Sequence, residues 1–470
     1  MNRKRMIGYM AAAVPLAGLL AILGPMAAGN RTETIEGDRV TFAVSLSGEP
    51  VAPGSRLAME LVCGEKAAAV AAFSGHEPVA ATRAHTAAGQ RCHIKLSGDG
   101  AARLGGEVVI TVAHQGKVLA RRVLYPEGDA ALSPDFIAPS GELSVSASVE
   151  MTDRPLGTRL RVMEWNIWQG GRAAGGDGNV SDLIELIRAQ HADILFILET
   201  YGSGQSILDG LNKGLPEERR YNGTRITNRP GQPEDRDNLW IFSRFPLVKQ
   251  YAPINEKGLD SFNFGGIKVR LPDGQELHLF NIWLWHAPQA WGFTNKTAAE
   301  IKGKRPRTYT DRDIVATDEE RRLAMAKIAL RTRLPGFVGD DPSPVIIAGD
   351  LNTMSYHDWS AEFADAPNHE GLVLPWPVTR LFEEAGFTDA YRWAHPDAGR
   401  FPGPTWSPQY GYGHVPGRID YIWTRGSGVR VLDAYTVDRR LPGHENAQHP
   451  FYSDHAAVVT DLMIRSRDGQ

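Results

Sequence analysis

Pro344-Val345-Ile346-Ile347-Ala348-Gly349-Asp350 is a continuous apolar run that stops on a carboxylate. A strand covered on both faces requires such a run, because neither face meets water. Asp193-Ile194-Leu195-Phe196-Ile197-Leu198-Glu199 repeats the pattern. Arg159-Leu160-Arg161-Val162-Met163-Glu164-Trp165-Asn166-Ile167 alternates as a strand does. Helical spacing separates these runs. Leu183, Ile184 and Ile187 share one face of Ser181 to Gln190. Thr317-Asp318-Glu319-Glu320 reads as a capping box opening a helix with Leu323, Ala326 and Leu330 on one face, stopped by Pro335-Gly336. Strands alternating with helices specify a layered α/β domain.

Outward from this core the chain divides unevenly. It has 470 residues, enough for two or three domains. Hydrophobic residues make up 42% and charged residues 23%, which excludes a disordered chain. A net charge of −4 excludes a strongly cationic surface overall, though not a local basic groove. Cys63 and Cys92 lie in the first hundred residues, whereas all 11 tryptophans lie beyond residue 160, so a boundary falls near residue 155.

Asn2-Arg3-Lys4-Arg5, the apolar Met6 to Leu23 and the small residues up to Ala28 read as a signal peptide over residues 1–28. The expectation is an exported protein, periplasmic or extracellular, with no membrane span after signal cleavage. Export makes Cys63–Cys92 a structural disulfide. Val40 to Val44 and Glu107 to Val112 carry β-branched residues, so residues 31–126 read as a small β-sandwich-like accessory domain. Residues 127–157, rich in Ser, Pro and Gly, read as a linker or lead-in strand, and residues 158–466 as the main domain.

Polar residues gather at the ends of the apolar strands: Asn166, Glu199, Asp350 with Asn352, Asp420, and Asp454 with His455. One acidic residue at a strand end is ordinary capping, but five such ends are not. Carboxylates and carboxamides without thiolates suit Mg²⁺, with Mn²⁺ or Ca²⁺ as alternatives, rather than Zn²⁺. A hard cation beside a His–Asp pair points to phosphoester hydrolysis.

Glu164-Trp165-Asn166-Ile167, Leu198-Glu199-Thr200, Gly349-Asp350-Leu351-Asn352, Arg418-Ile419-Asp420-Tyr421-Ile422 and Ser453-Asp454-His455 resemble, in order, the motifs of the endonuclease/exonuclease/phosphatase superfamily. Asp237 to Pro246 and Pro404-Thr405-Trp406 resemble further segments. The resemblance covers roughly residues 158–465 and implies a DNase I-like four-layer sandwich. In it two packed, mostly antiparallel sheets are flanked by helices, here preceded by a small all-β domain. It also implies a metal held by Asn166, Glu199 and Asp454, and a general base, His455, oriented by Asp420. Asp350 would act on the water or the leaving group, and Asn352 would hold a phosphate oxygen.

One position departs from the pattern. The family places a phosphate-contacting His at a strand end, where Phe280-Asn281-Ile282-Trp283-Leu284-Trp285-His286 puts Trp283 in the simplest register. His286 follows three residues later, and the reading adopted here gives it the phosphate contact. The expected activity is hydrolysis of a phosphodiester substrate in nucleic acid, with a phospholipid or phosphorylated-glycan headgroup as the alternative. A non-catalytic binding domain is the contrasting class, and no stable protein partner is implied. Ala287 to Thr317 interleaves basic and aromatic residues, either as a nucleic-acid contact or as a solvated loop. Tyr410 to Gly417 reads as a Gly-rich turn or a wall of the cleft.

Overall fold

The computed structural model describes residues 40–48, 57–63, 66–74, 77–81, 90–98, 107–124, 130–132, 136–138, 141–150, 157–407, 417–444 and 449–465. The expected signal, residues 1–28, lies outside the described residues, as does nearly all of the Tyr410 to Gly417 stretch. Among the described residues no helix is long and apolar enough to cross a membrane.

Two six-stranded sheets build the main domain. The first runs in the order Asn222–Arg225, Trp240–Ser243, Ile194–Leu198, Gly157–Asn166, Ala457–Arg465, Val429–Val437. The second runs Leu247–Gln250, Phe264–Arg270, Glu276–Trp283, Val345–Asp350, Asp420–Arg425, Thr388–Asp389. Each contains one parallel pair, Gly157–Asn166 with Ile194–Leu198 and Glu276–Trp283 with Val345–Asp350; the remaining pairings are antiparallel.

Side-chain alternation then makes four layers. Leu160, Val162, Phe196 and Leu198 of the first sheet meet Leu277, Leu279, Ile346 and Ile422 of the second. On the outer face of the first sheet, Trp165, Leu195 and Ile197 pack on Leu183, Leu186 and Ile187 of the helix Gly176–Gln190. On the outer face of the second, Phe280, Ile347 and Trp423 pack on Met325 and Ala326 of Arg322–Ile328 and on Leu381 and Phe382 of Pro377–Glu384. Each fully buried aliphatic side chain in these layers contributes roughly 1.5–3 kcal/mol. Asn281 ties the sheets together through polar atoms, its Nδ2 donating to the carbonyls of Ile197 (3.2 Å) and Trp240 (3.0 Å).

The capping box stands seven residues, about two turns, earlier than expected. Thr310 caps Asp311–Glu319, with its side chain accepting from Asp313 N and Asp313 accepting in return. Thr317 and Asp318 sit inside that helix instead. Asp318 spends its carboxylate on Arg322 (2.8 Å), a charge partner four residues on that outcompetes a capping role.

The N-terminal region is all β. One sheet orders Val40–Gly48, Gly141–Glu150, Glu107–His114 and Lys117–Leu124; the other orders Glu77–Ala81, Lys66–Ser74, Leu57–Cys63, Arg91–Gly98 and Ala130–Leu132. Cys63 and Cys92 stand opposite each other in register and form a disulfide. Gly141–Glu150 falls in the stretch read as a linker or lead-in strand, and it is a ten-residue strand paired on both sides. Its Ser-rich composition suggests a linker, but Leu143, Val145, Ala147 and Val149 recur at the strand period, and Leu143 and Val145 are buried. The region docks on the main domain: Val123 packs with Leu432 and Met463, Arg122 pairs with Asp433 at 3.4 Å, and the Arg121 guanidinium lies over Trp393.

Candidate active site

Parity along the strands decides which side chains meet. Leu160 and Val162 face the partner sheet, so Glu164 and Asn166 do too. Ile346 and Ala348 bring Asp350 to that side, and Ile422 brings Asp420. Both parallel pairs end at one edge of the sandwich, and Asp420 opens its strand directly opposite Asp350. Gly349 lets this register form. It has φ 152°, and a Cβ there would lie 1.8 Å from the carbonyl oxygen of Ile282 on the neighbouring strand.

His455, just before Ala457–Arg465, closes the site from the first sheet. Its Nδ1 stands 2.9 Å from Asp420 Oδ2 and 3.1 Å from Oδ1, so Nδ1–H donates and Nε2 is left for chemistry. The Trp165 indole N–H donates to the His455 carbonyl (2.9 Å). Ser453 Oγ donates to the Asn166 carbonyl (2.7 Å) and accepts from His455 N (3.1 Å). Burial alone would lower the His455 pKa. The carboxylates of Asp420, Asp454 and Asp350 outweigh it and push the imidazole up to about 10.

Asn166 Nδ2 donates to Glu199 Oε1 (3.1 Å) and to Asp350 Oδ2 (3.2 Å), joining two carboxylates from different sheets. Its Oδ1 accepts from Trp168 N (3.0 Å). The second oxygen of Glu199 accepts from Gln169 N (3.1 Å). Asn352 donates to Asp350 Oδ2 (2.9 Å) and to the Leu284 carbonyl (3.0 Å). Asp454 Oδ2 accepts from the Trp406 indole (3.1 Å), while its buried Oδ1 has no hydrogen-bond partner among the described residues. Burial, with the charge of Asp420 behind it, drives the Asp350 pKa well up. Burial raises Asp454 as well.

Left-handed backbone marks the same place. Trp168, Gln169, Glu199 and Asn352 have φ of 57°, 50°, 54° and 50°. Residues with side chains adopt this conformation at a cost of about 1–3 kcal/mol each, and such residues gather at functional sites.

The structure therefore brings together Asn166, Glu199, Asp350, Asn352, Asp420, Asp454 and His455. His286 makes no hydrogen bond to any of them among the described residues. Trp283 takes the strand end beside Asp350 and is buried between the sheets. His286 is exposed on the loop beyond, its ring 5.9 Å from Trp283 and 5.1 Å from Trp285, and it makes no hydrogen bond among the described residues. Arg322 holds that loop through the carbonyls of Trp285 (3.1 Å) and Pro288 (2.8 Å).

Sequence reasoning passed over Glu164. It is fully buried two residues before Asn166, and neither carboxylate oxygen has a hydrogen-bond partner among the described residues. Burial, reinforced by Asp420 and Asp350, holds its pKa well above the usual carboxylate range. The signal was its shared parity with Asn166. The Trp406 contact with Asp454 had no signal, because 48 residues separate the two.

The donor set suits a hard divalent cation: it is rich in carboxylates, and the orphaned Asp454 oxygen awaits a partner. Ligand atoms of Asp350, Asp420 and His455 also lie within 4.8 Å of one another.

The model of the Endonuclease/Exonuclease/phosphatase family matches residues 163–455. Uncharacterized protein F14F9.5 of Caenorhabditis elegans is 24% identical over 327 residues, which cover 65% of this chain and 91% of that protein. Among solved structures, truncated C. elegans TDP2 is similar at 16% identity and a TM-score of 0.43, covering 65% of this chain and 97% of that one. An AP endonuclease from Archaeoglobus fulgidus is similar at 16% identity and a TM-score of 0.37, covering 64% and 98%.

Proposed function

Because the chain belongs to the endonuclease/exonuclease/phosphatase family, whose members hydrolyse phosphoesters, we propose that it is an exported phosphodiesterase acting on nucleic acid. The observation that carries the catalytic part is the His455–Asp420 pair, buried at the junction of two sheets and facing Asp350 and Asn166. Asp420 holds the His455 Nδ1–H, and a cation bound among the surrounding carboxylates would offset the charge that raises the imidazole pKa, leaving neutral Nε2 to take the proton of the attacking water. Asn352 offers its amide to a phosphate oxygen, and Asp350 orients the water or steadies the leaving oxygen. His286, at the rim, supplies the further phosphate contact. Glu199 and Asp454, with Asn166 beside them, would hold Mg²⁺. Bound there, the ion neutralises charge on the phosphoryl group and acidifies water.

Export is supported by the basic, apolar and small-residue succession of residues 1–28 and by the Cys63–Cys92 disulfide. Nucleic acid is favoured over a small headgroup by the helix Ala290–Lys302. Its Trp291 packs on Trp406 beside Asp454, its last residue Lys302 is exposed, and exposed Lys304 and Arg305 follow on the turn. The test is cleavage of double-stranded plasmid DNA in Mg²⁺ buffer. Cleavage should stop with EDTA and with His455→Ala, and affinity should fall roughly 10³-fold or more between 50 and 200 mM salt if six or more phosphates are contacted. Intact DNA beside turnover of an aryl phosphodiester would redirect the substrate to phospholipid or phosphorylated-glycan headgroups.

A further inference from the structure

The two members of the catalytic pair belong to different sheets, and the short segment Pro404-Thr405-Trp406 is laid between them. Thr405 is fully buried. Its Oγ1 accepts from the backbone N–H of Ile419 (3.0 Å) and of Asp420 (3.1 Å), at the start of an inner strand of the second sheet. Its carbonyl accepts from Ala456 N (2.7 Å), the residue between His455 and the first-sheet strand Ala457–Arg465. Its own N–H donates to the Gly417 carbonyl (2.9 Å).

We propose that Thr405 is a positioning residue that sets the distance and orientation between Asp420 and His455. The argument rests on the assignment of that pair as the catalytic dyad. The side-chain oxygen satisfies two adjacent buried N–H groups where the chain turns into the Asp420 strand, so it fixes where the carboxylate starts. The backbone of the same residue fixes Ala456, and so the height at which the imidazole enters. Neighbouring contacts support each side separately. Arg418, with its guanidinium on Asp358 (2.9 Å) and Asp389 (2.6 Å), anchors the approach to Asp420, and Trp165 anchors His455. Thr405 couples the two. A group displaced by about 1 Å costs up to roughly 10²-fold in rate.

Thr405→Val keeps the shape and removes the acceptor, Thr405→Ser keeps the acceptor, and Thr405→Cys weakens it. On a generic aryl phosphodiester, the expected kcat order is native, Ser, Cys, Val, with Val lower by about 10–100-fold and KM within about 2-fold. Combined with His455→Ala, Thr405→Val should add no further loss. A Val variant with native kcat would overturn the proposal, and so would losses that multiply with His455→Ala. Should the Val variant fail to fold, equal kcat for Ser and Cys overturns it as well. Full activity in His455→Ala would sink the dyad assignment itself, and the positioning role with it.

Discussion

The two sheets share one plan, with six strands and a single central parallel pair whose ends reach the same edge, yet they finish that edge differently. In the first sheet the parallel pair ends in two polar residues, the buried Asn166 and the half-buried Glu199. In the second the corresponding ends are Trp283 and Asp350. There an indole packed between the sheets takes the place of one of the two polar ends, and Asp350 is the remaining polar group. The base comes from the first sheet and its orienting carboxylate from the second, so neither sheet holds a complete site. The division of labour is structural filling on one side, polar contact on the other, and catalysis at the seam.

The seam carries the largest expected effect. His455→Ala should lower kcat by about 10³–10⁴-fold, and Asp420→Asn nearly as much. The double variant should be no worse than the poorer single, because the pair acts as a unit. Multiplied losses in steady-state kcat would mean that the sheets contribute separately.

The contrast between plug and contact comes next. Trp283→Ala should destabilise by about 3–5 kcal/mol through the cavity it leaves. His286→Ala should leave the melting temperature unchanged and lower kcat by about 10²-fold, the effect of losing one preorganised donor. Thermal unfolding and turnover measured on both variants decide the matter; unchanged stability in Trp283→Ala would break the comparison.

The joint between the sheets is sensitive to acid. His395 is buried after Ala390–Ala394, its Nε2 donating to the Ala434 carbonyl of the first sheet (2.7 Å), and burial lowers its pKa to about 4. The unfolded chain, titrating near 6.5, binds more protons between those values. Stability from this group is therefore full above pH 6.5 and lost as pH falls to 4, by about 3 kcal/mol. Urea titrations across that range should slope in the native protein and flatten in His395→Gln.

The smallest effect is expected at Glu164. Glutamine fills the same volume beneath the seam, and neither carboxylate oxygen forfeits a hydrogen bond. Glu164→Gln should stay within about 1 kcal/mol of native stability. A larger loss, read from urea unfolding, would show that the acid contributes a contact that the amide lacks.

Much of this architecture was legible in the sequence because strands covered on both faces leave unmistakable apolar runs, and Asp350, Glu199 and Asn166 terminate or directly follow them. The family motifs added the order of the remaining site residues. What stayed hidden depends on partners distant in the chain. Glu164 looks like any charged residue of an alternating strand until the second sheet covers it. Thr317 and Asp318 match a helix start, and Arg322 with the backbone N–H of Val378 redirects the carboxylate. The Ser-rich Gly141–Glu150 matches a linker in composition and a strand in period, and its neighbours across the sheet settle the matter. His286 rests on its motif alone, since it lies on an exposed loop beyond a buried indole and no strand parity points to it.

Gly349 carries a consequence for anyone who would redesign this scaffold. The chemistry at Asp350 and Asn352 is open to replacement, since carboxylates and amides can be exchanged and the losses read as rates. Position 349 is not, because the backbone of the adjoining strand already occupies the volume of a methyl group. In a library randomised over 349–352, survivors should keep the glycine even under selection for a different reaction, and its retention would report folding rather than catalysis.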